Sequence, residues 1–167
     1  MIEYDRWKWH IEGEFPKERM PEHGYVHIGT YLAWLIRQGM LDPGWVARSG
    51  VNRAVAAVND GSESVTALRD MTDGALTSEM LSADGLAFTS AYYAPEYGYP
   101  RDWRQVFGRR ADRYDVPDEW ETYERIAPLI DRRRAEWVAA GKPDLLPMPS
   151  LIPGWLAFWR AKPRIPR

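Results

Sequence analysis

The sequence predicts a mainly α-helical, single-domain bundle with an irregular N-terminal arm and a proline-rich C-terminal packing segment. The chain has 167 residues, a length typical of one domain that buries about two-thirds of its unfolded surface. Apolar residues recur at helical spacing between residues 22 and 140, and capping residues, Gly and Pro separate the segments. Because the chain has no Cys, disulfide frameworks, thiolate zinc sites and cysteine nucleophiles are excluded.

The N-terminal arm comprises residues 1–21 and has no sustained period. Its first part alternates, which allows a strand with Trp7, Trp9 and Ile11 on one face, and a helix is also possible there. Pro16 and other turn formers then interrupt any regular element.

The helical core comprises residues 22–140. The clearest segment has Tyr25, Ile28 and Leu32 at helical spacing, and Asp42 with Pro43 is an N-cap followed by a proline in the first helical position. The predicted helices span residues 22–38, 42–58, 62–71, 82–93, 102–107 and 117–140.

The C-terminal segment, residues 141–167, contains six prolines together with Trp155, Phe158 and Trp159. Large aromatic side chains are rare in disordered tails. We therefore expect this segment to pack back onto the helices.

The charge pattern bears on localisation and partners. The net charge is −2 and the pI is about 5.9, whereas nucleic-acid-binding domains are usually clearly basic. No apolar run approaches the roughly 18 residues of a spanning helix, and the acidic, aromatic N-terminus lacks the pattern of a signal peptide. We expect a cytoplasmic protein that binds neither nucleic acid nor membranes.

The three histidines are the first candidates for chemistry. His23 and His27 are four residues apart on a predicted helix, so both imidazoles could face one metal ion, with His10 or Glu14 as a further ligand. Gly24 stands where the zinc-protease signature has Glu, so the spacing favours structural hydrogen bonding and predicts no metal or other cofactor. An alternative ligand site at His10, Glu14, His23 and His27 stays open.

An aromatic loop over residues 92–103 is the strongest candidate for surface recognition. Tyr and Trp supply large contact area at low entropic cost, and the same rings could instead seal the core beneath an irregular loop. The candidate binding residues are Tyr92, Tyr93, Tyr97, Tyr99 and Trp103, joined by Asp70, Asp73 and Glu79 of the acidic stretch 59–85.

Two motifs resemble those of an uncharacterised bacterial family of small cytosolic proteins. Trp9-His10-Ile11-Glu12-Gly13-Glu14-Phe15-Pro16 is similar to its W-H-x-x-G-x-F-P arm, and the segment 27–34 is similar to its H-I-G-x-[YF]-L-A-W helix. Some members lie among toxin–immunity loci. The resemblance implies a genomic neighbourhood and no assigned activity.

These observations favour a non-enzymatic immunity protein that neutralises a cognate protein toxin, with the acidic face covering a basic site on the toxin. The alternative is a small helical enzyme or a metal- or ligand-binding domain that uses His10, His27 and Glu12 or Glu14. A homo-oligomer formed through the aromatic loop is a third possibility.

Overall fold

Seven α-helices and one two-stranded sheet form the regular structure of the described residues (1–12, 15–108 and 114–146) in this computed structural model. The mainly α fold class is confirmed. The strands are β1 (Glu3–Arg6) and β2 (Ala75–Thr77), short 3₁₀ helices span Pro21–Gly24 and Ser78–Met80, and the α-helices are α1 (Trp7–Ile11), α2 (Val26–Arg37), α3 (Pro43–Val46), α4 (Val51–Asp60), α5 (Ala83–Tyr92), α6 (Tyr99–Phe107) and α7 (Trp120–Ala139).

The N-terminal arm begins with a strand that is followed directly by a helix. The strand predicted to carry Trp7, Trp9 and Ile11 on one face is therefore wrong for these residues, which form α1. β1 pairs antiparallel with β2, with Arg6 opposite Ala75. The pairing ends where the amide of Trp7 donates to the carbonyl of Gly74 at 2.9 Å. Gly74 has φ = +65°, and any β-carbon there would overlap the indole of Trp7. The ring of Trp7 therefore occupies the space that a side chain at residue 74 would need. This contact fixes the position of α1, which begins at Trp7.

Helix α2 lies at the centre of the core, with ten of its twelve residues buried. Gly29 faces the segment that precedes β2, and a β-carbon at this glycine would lie 2.5 Å from the carbonyl oxygen of Val65. The close approach of the two backbones requires glycine at this position.

The helix predicted over residues 62–71 is wrong, because this segment forms turns. Short polar side chains there bond locally, which competes with helical hydrogen bonding. The hydroxyls of Ser64 and Thr66 lie 3.2 Å apart, and Thr66 also donates to Asp118.

Other predicted helix boundaries also change, including that of α2, which begins at Val26 and not at residue 22. The single helix expected over residues 42–58 is two helices, α3 and α4, separated by a turn at residues 47–50. The Asp42 cap is present and accepts from the amide of Trp45 at 2.8 Å. α6 begins at Tyr99 rather than Asp102, since Pro100 fits the first helical turn, where its missing N–H costs nothing. α7 begins three residues later than the prediction.

A buried ion pair joins α6 to α7. The carboxylate of Asp102, which is fully buried, accepts from Nε of Arg133 at 2.7 Å and from its Nη2 at 3.1 Å. The hydroxyl of Tyr92 at the end of α5 donates to the same carboxylate at 3.1 Å. The carboxylate of Asp102 therefore links α5, α6 and α7. The same helix α6 contains Trp103 and Arg104, so this ion pair helps to fix their positions.

The chain returns to the core after α7. The indole of Trp137 donates to the carbonyl of Pro143 at 2.9 Å, and the amide of Leu146 donates to Ala91 at 3.1 Å. The predicted packing of Trp155, Phe158 and Trp159 lies outside the described residues. Among the helices of residues 1–12, 15–108 and 114–146, none is long and apolar enough to cross a membrane.

Candidate functional site

One carboxylate and two imidazoles converge where the N-terminal arm meets α2. Asp5 comes from β1, His10 from α1 and His27 from the first turn of α2. Asp5 Oδ1 lies 2.7 Å from Nε2 of His10, and Oδ2 lies 3.1 Å from Nε2 of His27. The imidazole centroids are 4.4 Å apart in an edge-to-face arrangement. The side chains are only 14–16% exposed, so this is a nearly enclosed polar cluster.

The carboxylate of Asp5 is surrounded by four donors. Besides the two imidazoles, the amide of Arg6 donates to Oδ1 at 2.8 Å and the hydroxyl of Tyr93 donates to Oδ2 at 2.7 Å. A carboxylate has about four acceptor positions, and all are used. Burial opposes ionisation, but the hydrogen bonds from His10 and His27 outweigh it and hold the pKa of Asp5 well below its ordinary value. The cluster therefore contains a buried anion.

Further contacts orient the two histidines. The hydroxyl of Tyr114 lies 3.4 Å from Nδ1 of His10, the nitrogen that faces away from Asp5. Tyr99 donates to the main-chain carbonyl of His27 at 2.8 Å. The contact of Tyr114 with the second ring nitrogen fixes the rotation of the His10 imidazole, as such partners do in metal sites, whereas the bond from Tyr99 holds the main chain of His27. Both imidazoles thus present Nε2 toward the carboxylate.

The donor set fits a divalent transition-metal ion. One ligand atom from each of Asp5, His10 and His27 lies within 4.8 Å of the other two. Two imidazoles with one carboxylate form a common ligand set for Zn²⁺ in catalytic sites, where three protein ligands leave a position for water or substrate. A metal ion there would replace the two imidazole N–H donors of Asp5, because a liganding Nε2 carries no proton, and three protein ligands would leave an open coordination position.

A cavity of about 240 Å³ adjoins the cluster and is lined in part by all three of its residues. Its other walls are mainly aromatic and carry one guanidinium group. These walls include Trp9, Tyr99, Trp103, Glu96 and Arg104. Any ligand in this cavity is therefore within reach of Asp5, His10 and His27.

The structure unites two of the histidines named in the sequence analysis and separates the third. His10 and His27 share the site, whereas Nδ1 of His23 pairs with the carbonyl of Tyr114 at 2.7 Å. Glu12 follows α1 and is exposed, and Glu14 lies outside the described residues. The carboxylate that completes the cluster is Asp5.

Sequence reasoning missed Asp5, although one signal for it was present. The alternation in the arm groups Asp5 with Trp7 and Trp9, although the strand itself covers only Glu3–Arg6. A charged residue on an otherwise aromatic face indicates an inward-pointing carboxylate that needs partners. Tyr93, which donates to Asp5, belongs to the aromatic segment 92–103, whose sequence fits a binding surface or a sealed core.

The predicted aromatic surface loop needs correction. Tyr92, Tyr93, Tyr99 and Trp103 are at most 3% exposed, and Tyr97 is partly exposed. The rings pack on α2 and on one another, with Tyr93 and Tyr99 stacked at 5.0 Å. Burial arises because Tyr92 ends α5, Tyr93 follows it directly, and Tyr99 and Trp103 belong to α6. In this conformation Tyr97 is the member of the set that a partner can reach.

The acidic candidates lie at the surface, and each has a basic partner. Asp70 pairs with Arg69 at 3.2 Å, Asp73 with Arg6 at 2.5 Å and Glu79 with Arg48 at 3.8 Å. These pairs reduce the negative field of the stretch 59–85. Their role in binding a partner stays a prediction.

Comparison with known proteins identifies a family for the chain. No significant match is found among curated proteins or among solved structures. A family model described as a domain of unknown function, DUF7832, matches residues 3–116. The match spans most of the chain and includes Asp5, His10 and His27, together with Tyr93 and the cavity wall from α6. The chain therefore belongs to the DUF7832 family.

Proposed function

We propose that the protein binds a divalent transition-metal ion, Zn²⁺ in the first instance, through Asp5, His10 and His27. The single observation that carries this proposal is the convergence of the three ligand atoms, with Tyr93, Tyr99 and Tyr114 contacting the groups that present them.

The adjoining cavity supports a role for the ion beyond stability. Three protein ligands leave at least one coordination position, and the same three side chains line a cavity of about 240 Å³. A metal ion at such a position polarises a bound carbonyl or phosphoryl oxygen, or lowers the pKa of a bound water. We therefore place the function among metal-dependent small-molecule binding or enzymatic proteins.

The experiment is metal titration of the full chain after treatment with a chelator. Isothermal titration with Zn²⁺ should give one ion per chain, and Co²⁺ should produce visible absorption bands of a site with nitrogen and oxygen ligands. His27→Ala and Asp5→Asn should each weaken Zn²⁺ binding at least tenfold. His23→Gln is the matched control, because it alters the histidine outside the cluster.

The wild-type protein alone decides the proposal if the variants do not fold. Absence of saturable Zn²⁺ binding to a folded, chelator-treated chain would overturn it. So would a Zn²⁺ affinity that His23→Gln lowers as much as His27→Ala does.

A second proposal keeps the role of a cytoplasmic immunity protein that binds a cognate toxin. The favouring observation is the exposure of the side chains of Asp70 and Asp73, at 87% and 72%. Co-expression with a toxin encoded beside the gene should rescue growth, and reversal of both charges should remove the rescue. Growth arrest despite soluble expression would refute this proposal.

The homo-oligomer formed through the aromatic segment is tested by size-exclusion chromatography at two protein concentrations. The variant for this test is Tyr97→Ala.

A further inference from the structure

We infer that the cavity beside Asp5, His10 and His27 binds a small aromatic carboxylate, with the carboxylate on Arg104 and the ring among the aromatic side chains. The inference rests on the proposed function, because the ligand shares its cavity with the proposed metal ion.

Arg104 has unused capacity for an anion. Its side chain is two-thirds buried, and within the described residues it makes two hydrogen bonds, both to Glu96. Nη1 donates to the Glu96 carboxylate at 3.1 Å, and Nη2 donates to its carbonyl at 3.1 Å. A guanidinium group has five donors in a planar fork that matches a carboxylate. Three donors of Arg104 are thus available for a ligand.

The existing partner of Arg104 is easily displaced. The Glu96 side chain is 84% exposed, and ion pairs with a highly exposed partner contribute roughly 0–1 kcal/mol. A ligand carboxylate in the cavity would meet the same guanidinium in a less hydrated setting, where the attraction is stronger. The Glu96 carboxylate can therefore give way to a ligand carboxylate at small cost.

The volume and the aromatic walls of the cavity favour an aromatic ring as the part of the ligand that bears the carboxylate. A cavity of roughly 150 Å³ accommodates benzene, so about 240 Å³ has room for one aromatic ring and a carboxylate. Trp9 is 54% exposed although it lines the cavity, and exposed Trp rings are energetically favourable platforms for stacking. Tyr99 and Trp103 form further aromatic walls, with centroids 5.9 Å apart.

The charges of the lining are consistent with an anion when the metal ion is bound. Asp5 and Glu96 are acidic, and Arg104 is basic. With a divalent cation bound to Asp5, the net charge of these three side chains and the ion is positive even if both histidines are neutral. The metal ion and Arg104 together would attract a monoanionic ligand.

The test measures binding of benzoate to the full chain in metal-free and Zn²⁺-loaded forms by calorimetry and saturation-transfer NMR. Benzamide lacks the charge, and cyclohexanecarboxylate lacks the aromatic ring. Benzoate should bind at least tenfold tighter than either. Arg104→Gln should weaken benzoate at least tenfold and leave benzamide unchanged. Arg101→Gln, a change on the same helix outside the cavity lining, should leave both affinities within twofold.

Zn²⁺ affinity, measured on the same samples, separates this inference from the proposed function. Normal Zn²⁺ binding without benzoate binding overturns the inference and leaves the metal site standing. Benzoate binding that depends on Arg104 in a chain that does not take up Zn²⁺ supports the carboxylate site and overturns the metal site. Equal affinity for benzoate and benzamide, or unchanged benzoate binding in Arg104→Gln, refutes the role of Arg104.

Discussion

Replacing Asp102 by Asn removes the charge at the junction of α5, α6 and α7 and nearly preserves the shape of the side chain. In the wild-type protein the carboxylate accepts two hydrogen bonds from Arg133 and one from Tyr92. Asn retains one oxygen, but its NH₂ group faces an N–H donor. At least one hydrogen bond is lost, and Arg133 keeps a buried positive charge without its main counter-ion.

The expected loss of folding free energy follows from the unpaired charge of Arg133. Removing one partner of a buried ion pair costs about 3–5 kcal/mol, and Arg133 is only 6% exposed. Glu136 retains a hydrogen bond of 2.9 Å to Arg133, although its side chain is 47% exposed. This partial compensation places the expected cost at about 3–4 kcal/mol. Domains of this size have a total free energy of unfolding of roughly 5–15 kcal/mol, so the variant is weakened but should still fold.

Urea unfolding followed by circular dichroism measures the effect. Asp102→Asn should lower the unfolding midpoint with an unchanged m-value, which indicates a loss of stability rather than of compactness. Arg133→Met added to Asp102→Asn should recover at least about 1 kcal/mol, because the uncompensated charge is gone. Arg132→Gln on the exposed side of α7 should change stability by less than about 0.5 kcal/mol. A cost below about 1 kcal/mol for Asp102→Asn, or simple additivity in the double variant, would refute the reasoning.

Three further predictions concern the core and the site. Gly29→Ala should destabilise by about 1–3 kcal/mol in urea unfolding, despite the roughly 1 kcal/mol that Ala gains in a helix, because its β-carbon meets the carbonyl of Val65; unchanged stability would contradict the close approach. In metal-free protein, ionised Asp5 stabilises the fold above the ordinary carboxyl pKa of about 4, because its pKa is lowered in the folded state. This stabilisation is lost as the pH falls toward the folded-state pKa, so the melting temperature of Asp5→Asn should fall less steeply with acidification than that of the wild-type protein. Parallel plots of melting temperature against pH for the two proteins would argue against this role of Asp5. Tyr93→Phe should weaken Zn²⁺ binding about 10–100-fold in calorimetric titration, whereas Tyr97→Phe should leave the affinity unchanged; equal effects would show that the hydrogen bond to Asp5 has no special role.

The elements that depend on local signals were predictable from the sequence. The spacing of Tyr25, Ile28 and Leu32 identifies α2, because a helix with buried residues on most of its faces produces that period. The pair Asp42-Pro43 marks the start of α3 because both the cap and the proline act within one turn. The predicted span 117–140 covers all of α7 and begins three residues before it, with Pro128 in its interior.

The candidate site depends on contacts that no local pattern reports. Asp5 reaches His27 because β1 pairs with β2, about 70 residues along the chain. A two-stranded sheet of three to four residues per strand leaves little periodicity to detect. Tyr93 and Tyr99 show the same limit, because their residue type suits an interface and a core equally, and only the packing of α5, α6 and α2 decides between them.

The packing of the Trp7 indole against Gly74 affects which positions a mutational scan of the candidate site would identify. Residue 74 lines neither the cavity nor the cluster, yet any side chain there displaces the indole and moves α1, which carries His10 three residues further on. Helix α1 has no buried residue of its own to resist that shift. A saturation scan scored by ligand uptake would therefore rank residue 74 beside the liganding positions. A map of intolerant positions on this protein thus marks both the groups that bind and the glycine that sets their alignment.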